Sequence, residues 1–425
     1  MTRHGTMVEV DAIIDGTLIR SVGIRLKGNS TLGAIRRSAN VPATAATAPD
    51  GGESGTQNVA GAADTPPANP LMIKMRQMMG GVTAEDPSTL PLLLSFDEYF
   101  PGRSYQGRTE LSIRPVAGGG ASLNEALSLQ LIADSDEISQ KYSWISFNIN
   151  EGESRTRLVL ENPNQNYVSS LELGRGVLYK SRNSNSFEYH GDDPTLYVDD
   201  FVQLNAIGSR DLSPVIRFLA WLDSATDEEF DAELPNWLDT SSFAKYVVTQ
   251  DLLDNFDDMA GPGRNFLFWY DLDDEKFTVV NWDMNLAMIG VGSVFDGRFP
   301  GGESAADSAV PQSSDSAGST ATDSNSPPAA DSASPPKDAP PSRPGPNGRP
   351  LIFGNALKDR FMASEIFAQE IVNTRSDLLQ FWFDSGRALK LLGTLSAYVP
   401  VTDHLSREYI DDQIASLTQE INGVK

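Results

Sequence analysis

Residues 250–290 read QDLLDNFDDMAGPGRNFLFWYDLDDEKFTVVNWDMNLAMIG, and the rest of the chain is best understood outward from them. Asn255-Phe256-Asp257-Asp258 closes a segment with helical apolar spacing (Phe243, Tyr246, Val247, Leu252, Leu253). The breaker Gly261-Pro262-Gly263 follows, then Arg264-Asn265 and the apolar run Phe266 to Tyr270. Asp271 to Glu275 has the composition of a hairpin turn, where acids are ordinarily solvated. Phe277 to Trp282 returns as a second strand ending on Asp283, with Asn285 two residues on. Asp257 and Asp283 differ from the turn acids because each borders a strongly apolar segment, where a carboxylate needs a partner. Carboxylates and carboxamides at the ends of buried strands hold hard cations and phosphates, so this stretch is the candidate active centre.

Composition narrows the chemistry. The chain has 425 residues, no cysteine and three histidines (His4, His190, His404). Disulfides, thiolate metal sites and a cysteine nucleophile are excluded, and a histidine-cluster metal site is disfavoured, although His190 is free for a single role. Net charge is −25. Residues 38–70 carry three acids (Asp50, Glu53, Asp64), and 301–350 carry six acids against Lys337, Arg343 and Arg349, so the remainder still holds −19. Such a surface repels nucleic acid and anionic lipid and suits divalent cations or basic partners. No apolar run approaches the roughly 20 residues of a membrane span, so no transmembrane segment is expected. Met1 to Gly16 alternates like a strand without the apolar region of a signal peptide, and reads as the middle of a hairpin whose start is cut into.

Taken in order, Met7 to Arg25 gives two alternating runs about Asp15-Gly16, a hairpin. Arg25-Leu26-Lys27-Gly28-Asn29-Ser30-Thr31-Leu32-Gly33 follows the second run. Its two cations, two glycines and two hydroxyls fit a phosphate-holding loop, but a plain turn with a surface Lys is the simpler reading, and P-loop spacing is absent. Residues 38–70 and 301–350, rich in Ala, Thr, Ser, Asp and Pro, read as two disordered insertions. Serines in 303–342 are candidate autophosphorylation targets, or the segment is an inert spacer. Strands are predicted at 91–96 and 105–114 and a hairpin at 144–160 about Asn150-Glu151-Gly152. Ser122-Leu123-Asn124-Glu125 has the form of a capping box opening a core helix. Glu161 and Lys180 each close an apolar strand. Their placement allows a buried ion pair presenting the ammonium to phosphate, or two unrelated surface charges. Residues 194–245 and 355–424 read as helical.

The ordered blocks VGIRLKGNSTL (22–32), LLLSFDEYFPGRSYQGRTELSIR (92–114), SLNEALSLQL (122–131), RLVLENPNQNY through VLYK (157–180) and DNFDDMAGPGRNFLFWY through FTVVNWDMN (254–285) together resemble the CotH family of spore-coat-protein kinases. The resemblance implies an α+β, atypical protein-kinase-like fold, β-rich in its N-terminal part and helical in its C-terminal part. It implies one kinase domain formed by 1–295 and 351–425. The implied activity is transfer of the ATP γ-phosphoryl group to Ser or Thr of coat- or envelope-type protein substrates, with Mg2+ or Mn2+. Residue by residue, Asp257 matches the candidate base and Asp283 the metal ligand. Asn265 matches the Asn before an aromatic strand, taken as a second metal ligand. Arg25, Lys27, Glu161 and Lys180 match nucleotide-binding positions. Arg264 and Asn285 depart from the family pattern, as does the missing upstream strand. These departures support an alternative, a catalytically inactive kinase-like scaffold in coat or envelope assembly. Location is left open, with a lean toward an extracytoplasmic or coat-associated one. A calcium-binding surface built on Asp271 to Glu275 ranks last, because an EF-hand loop is absent.

Overall fold

The computed structural model describes residues 6–28, 81–290 apart from 84 and 207–208, and 354–424, with a backbone pairing of Arg343–Pro344 against Pro350–Leu351. The rest of both expected insertions, including the candidate serines of 303–342, lies outside the described residues.

Ten strands form two antiparallel sheets among the described residues outside that short pairing. The first sheet begins with β1 (Val8–Ile14) and β2 (Thr17–Leu26). Asp15 and Gly16 take φ of +50° and +75° between them, the left-handed pair that a two-residue hairpin requires. Then come β3 (Leu92–Ser95), β4 (Glu110–Ile113), β5 (Tyr142–Phe147) and β6 (Arg155–Glu161), in the spatial order β1-β2-β3-β4-β6-β5. Helix α1 (Leu123–Asp134) packs beside this sheet, its leucines fully buried.

The second sheet holds β7 (Gly176–Ser181), β8 (Phe201–Gln203), β9 (Phe266–Asp271) and β10 (Phe277–Asn281), ordered β10-β9-β7-β8. A short helix, α2 (Gln165–Ser170), leads from β6 toward β7. Three helices, α3 (Ser213–Ser224), α4 (Asp227–Trp237) and α5 (Thr240–Leu252), precede β9. Helices α6 (Ala356–Ala363), α7 (Glu365–Leu379), α8 (Arg387–Ser396) and α9 (Arg407–Gly423) complete the chain. The aromatic run of β9 explains why the elements meet here. Phe266 and Phe268 point into a cluster with Phe187, Phe218 and Phe277, and the Phe268 and Phe277 rings stack 4.0 Å apart. The architecture is the α+β arrangement expected, strands first and helices after.

Three local expectations are corrected. The strand anticipated over 105–114 is confined to Glu110–Ile113, because Gln106 and Gly107 (φ +48° and +77°) close a tight turn between Tyr105 and Arg108. Residues 201–203, expected to be helical, form β8 on the edge of the second sheet. The capping box does not form. Ser122 takes φ +45° with no side-chain bond to the helix, and Glu125 turns away to Arg114.

The backbone of Arg114 is itself pinned. Arg157 of β6 is fully buried and donates from Nε to the Arg114 carbonyl at 2.6 Å, and its terminal nitrogens reach the carbonyls of Ser88, Leu90 and Arg114. Removing that guanidinium strands three buried carbonyls at once. Arg157→Met is expected to lower unfolding free energy by about 3–5 kcal/mol, read from the midpoint of urea denaturation. A loss below about 1 kcal/mol would mean that water replaces the guanidinium.

Candidate functional site: a cation cluster facing two aspartates

Strand ends deliver cations to one place. Lys27 follows β2 and donates from Nζ to Asn162 Oδ1 at 2.5 Å and to Ser112 Oγ. Arg114 follows β4, and Lys180 lies near the end of β7 in the other sheet. All three surround the segment Trp282-Asp283 that ends β10. The Lys180 and Lys27 ammonium groups lie 4.5 and 5.8 Å from the centre of the Trp282 ring, Lys180 at ordinary cation–π range and Lys27 at its limit. Asp283 takes the left-handed conformation (φ +60°, ψ +61°), uncommon for a residue with a side chain. That turn places its carboxylate on Arg114, Nη2 to Oδ1 at 2.5 Å. Arg114 also grips Glu125, fully buried in the first turn of α1, with Nε 2.9 and 3.1 Å from the two carboxylate oxygens.

The electrostatics follow from crowding charges away from water. Burial, with Lys180 and Arg114 close by, holds the Lys27 ammonium well below its usual range. Burial lowers Lys180 too, with Asp283 pulling the other way. Burial alone would raise Asp283, but Arg114, Lys180 and Lys27 together keep it below the ordinary carboxylate range. Glu125 is pushed up by burial against the pull of Arg114. Three cations gathered at one place, with Asp283, Glu125 and Glu110 around them, stand out in a chain of net −25, and such a cluster suits a polyanion.

Asp257 approaches from the other side, in the loop between α5 and β9. Its oxygens accept the Gly263 backbone N–H and the Asn265 side-chain amide at 3.0 Å. Gly263 has no room for anything larger, since a Cβ there would meet both Asp257 oxygens and Asn265 Nδ2 at 2.5–2.7 Å. Burial pushes the Asp257 carboxyl up to about 7; the Gly263 N–H opposes this, while the charges of Asp283 and Asp258 add to it. The two aspartates are therefore close enough to sense one another, although 26 residues separate them in the chain. Asp258 turns the opposite way. Its carboxylate caps the Ala260 N–H at 2.8 Å and pairs with Lys358 of α6, so the C-terminal helices brace this loop from behind. Arg264 (φ +53°) is buried in the same brace, donating to the carbonyls of Met259 and Gly354.

Of the residues singled out in the sequence, Lys27, Lys180, Asp257, Asn265 and Asp283 converge. Two do not. Arg25 pairs with Leu93 in mid-sheet, and among the described residues its guanidinium reaches the neighbouring Leu26 carbonyl, at 3.3 Å. Glu161 makes no pair with Lys180. The two lie in different sheets, and Arg108, in the turn before β4, captures the Glu161 carboxylate, which also caps the Lys141 N–H at 2.9 Å. The site's cation–carboxylate contacts centre instead on Arg114, which pairs with Glu125 as well as with Asp283. Sequence reading passed over them because Arg114 looked like the end of a strand and Glu125 like a helix cap. A legible signal was that Arg114 closes β4 as Lys27 closes β2.

Among the described residues, no group of three or more acidic or histidine side chains forms a ready-made metal cage. The Asp283 carboxylate and the Asn265 side-chain carbonyl, which its NH2 contact with Asp257 leaves available, are nonetheless hard oxygen donors of the kind a divalent cation takes. Mg2+ takes few protein ligands and completes its shell with phosphate and water, so this donor set fits it. A family model described as CotH kinase protein matches residues 80–386, well over half the chain. The chain belongs to the CotH kinase protein family. A CotH kinase is a protein kinase, and membership implies use of a nucleotide; Asp257, Asp283, Arg114 and Lys180 fall within the matched span, whereas Lys27 precedes it. No curated protein matches the chain.

A carboxyl whose folded pKa is raised weakens the fold once it ionises. The penalty is absent below the unfolded value and complete above about 7. Asp257→Asn is therefore expected to unfold at a higher temperature than wild type at pH 8, with the gap closing toward pH 4. The gain is at most about 4 kcal/mol and is reduced by partial contact with water. A gap independent of pH would contradict the shift.

Proposed function

We propose that this CotH kinase is an ATP- and divalent-metal-dependent protein kinase that phosphorylates Ser or Thr hydroxyls of coat- or envelope-type protein substrates, from one domain formed by 1–295 and 351–425. The observation that supports it most is the convergence of Lys27, Arg114 and Lys180 around Asp283, opposite a second aspartate, Asp257, poised to ionise near neutral pH. Phosphoryl transfer needs positioning and charge neutralisation more than covalent help from the protein, and these are the parts present.

In this reading the three cations hold the triphosphate. Arg114 spends its Nε–Nη2 edge on Glu125 and Asp283, which fix its orientation, and has Nη1 left for phosphate oxygens; with Glu125 it takes the part played in conventional kinases by a Lys–Glu pair. Lys27 and Lys180 add point charges, steered by Ser112, Asn162 and the Trp282 face. Asp257 orients the substrate hydroxyl and takes its proton. The hydroxyl oxygen bonds to the γ-phosphorus as the bond from that phosphorus to the β-bridging oxygen breaks, leaving ADP with the electron pair. Asp283 and Asn265 would hold Mg2+, or Mn2+ with the same oxygen ligands. When bound, the ion supplies neutralisation of charge on the β- and γ-phosphates. Asn265 also keeps Asp257 aimed, which makes it a positioning group for the base.

A second reading, a kinase-like scaffold without catalysis, draws on one observation: Asp283 Oδ1 is engaged by Arg114. One experiment separates the two readings. With labelled ATP, Mg2+ and a mixed Ser/Thr peptide library, transfer is expected in wild type. Asp257→Ala is expected to lower kcat by about 10²–10⁴-fold, and Asp283→Ala to abolish detectable transfer. Thermal stabilisation by ATP without transfer would select the scaffold, and full activity in both variants would remove the assigned roles. Because a general base must be ionised, kcat/KM is expected to fall as pH drops through about 7, the Asp257 value. Arg114→Lys keeps the charge but loses the fork, so nucleotide binding is expected to weaken about tenfold; unchanged binding would place the triphosphate elsewhere.

A further inference from the structure

Behind the two aspartates runs a buried line of side-chain amides that none of the roles above uses. It begins at Glu137, just beyond α1. Thr249 of α5 donates its hydroxyl to Glu137 Oε1 at 2.9 Å, and Asn281 of β10 donates Nδ2 to Oε2 at 2.8 Å. Gln250 donates Nε2 to Asn281 Oδ1 at 2.7 Å, and Asn255 donates Nδ2 to Gln250 Oε1, also at 2.7 Å. Thr249, Gln250, Asn255 and Asn281 are all at least nine-tenths buried.

The polarity of this line is forced. Both Glu137 oxygens accept, from Thr249 and from Asn281, so Asn281 turns its NH2 toward Glu137 and its oxygen toward Gln250. Gln250 must then offer NH2 to Asn281 and its oxygen to Asn255. The last oxygen, Asn255 Oδ1, is buried and has no protein partner among the described residues. The two ends of the line matter. Asn281 lies two residues before Asp283, and Asn255 lies two residues before Asp257. A single carboxylate thus ties the strand that carries one aspartate to the loop that carries the other. Burial pushes the Glu137 carboxyl up, while Thr249, Asn281 and the nearby Lys245 favour its charge.

We propose that Glu137 is a positioning residue for the phosphoryl-transfer site, whose acceptor-only carboxylate sets the direction of the Asn281–Gln250–Asn255 chain and so keeps Asp283 and Asp257 in register. This rests on the kinase reading for its kinetic consequence but not for its structural one. Two variants isolate the effect. In Glu137→Gln, the new amide oxygen accepts from Asn281 and its NH2 donates to the Thr249 hydroxyl, so the direction of the chain is kept. Glu137→Met has similar volume and can accept nothing comparable, so the direction is lost.

The test measures kcat and the KM for ATP with Mg2+ and a mixed Ser/Thr peptide library, alongside backbone amide exchange over residues 253–258 and 281–284. Glu137→Met is expected to lose about 10–100-fold in kcat, since a small misplacement of reacting groups costs that much, with KM for ATP within about threefold. Exchange should rise at least tenfold in both segments together. Glu137→Gln should restore kcat to within about threefold of wild type and return exchange to the wild-type pattern. Equal impairment of both variants, a rise in KM that matches the fall in kcat, or unchanged exchange in Glu137→Met would overturn the proposal. If wild type transfers no phosphate, the kinase reading fails by itself, and the exchange measurement still decides whether Glu137 couples the two segments.

Discussion

Arg114 is held between two carboxylates that belong to different parts of the chain, Glu125 at the start of a helix and Asp283 at the end of a strand. Each of the three charges would be costly alone at that depth. Together they hold one another in place, and removing any one leaves a partner buried without compensation. Helix α1, the first sheet and the end of the second sheet are joined through this contact. Arg157 fixes the Arg114 backbone, and Lys180 lies against the face of the neighbouring Trp282.

The same contact explains how an acidic protein assembles a cluster of cations. Lys27, Arg114 and Lys180 repel one another, and burial discourages two of them from carrying charge at all. Asp283, Glu125 and, near Lys27, Glu110 support what charge remains. An arriving polyanion would favour the charged form of both lysines, which is how this cluster would recognise one. Asp257 experiences the opposite setting. It is sheltered from water and lies in the field of Asp283 and Asp258, so it holds its proton more tightly than an ordinary carboxyl and releases it only near pH 7. Two aspartates in one site thus acquire different proton affinities from their surroundings, one ionised as a fixture and one able to give and take a proton.

Much of this was legible in the chain. Asp15-Gly16, the apolar alternation around it and the aromatic run from Phe266 marked their hairpins because turn geometry and period-two patterning are local properties. Asp257 and Asp283 stood out because acids beside apolar segments need partners. What could not be read was which partner. Glu125 carried a local signature, the capping box, that the tertiary pair with Arg114 overrides. Glu161 and Lys180 looked suited to each other by position at strand ends, but the strands fall in separate sheets and Arg108 lies nearer. Lys358 on Asp258 joins residues 100 apart, and the chain from Glu137 to Asn255 draws on α5, β10 and two loops. Spacing in sequence carries no trace of such contacts.

The central claim is that a triphosphate lies between the cation cluster and the two aspartates. The most direct measurement is a structure of the protein with a non-hydrolysable ATP analogue and Mg2+. The account requires phosphate oxygens within hydrogen-bond reach of Lys27, Lys180 and Arg114, and the γ-phosphate between Asp257 and Asp283. Phosphates bound elsewhere, with Arg114 still closed on Asp283 and no ligand beside Trp282, would contradict it.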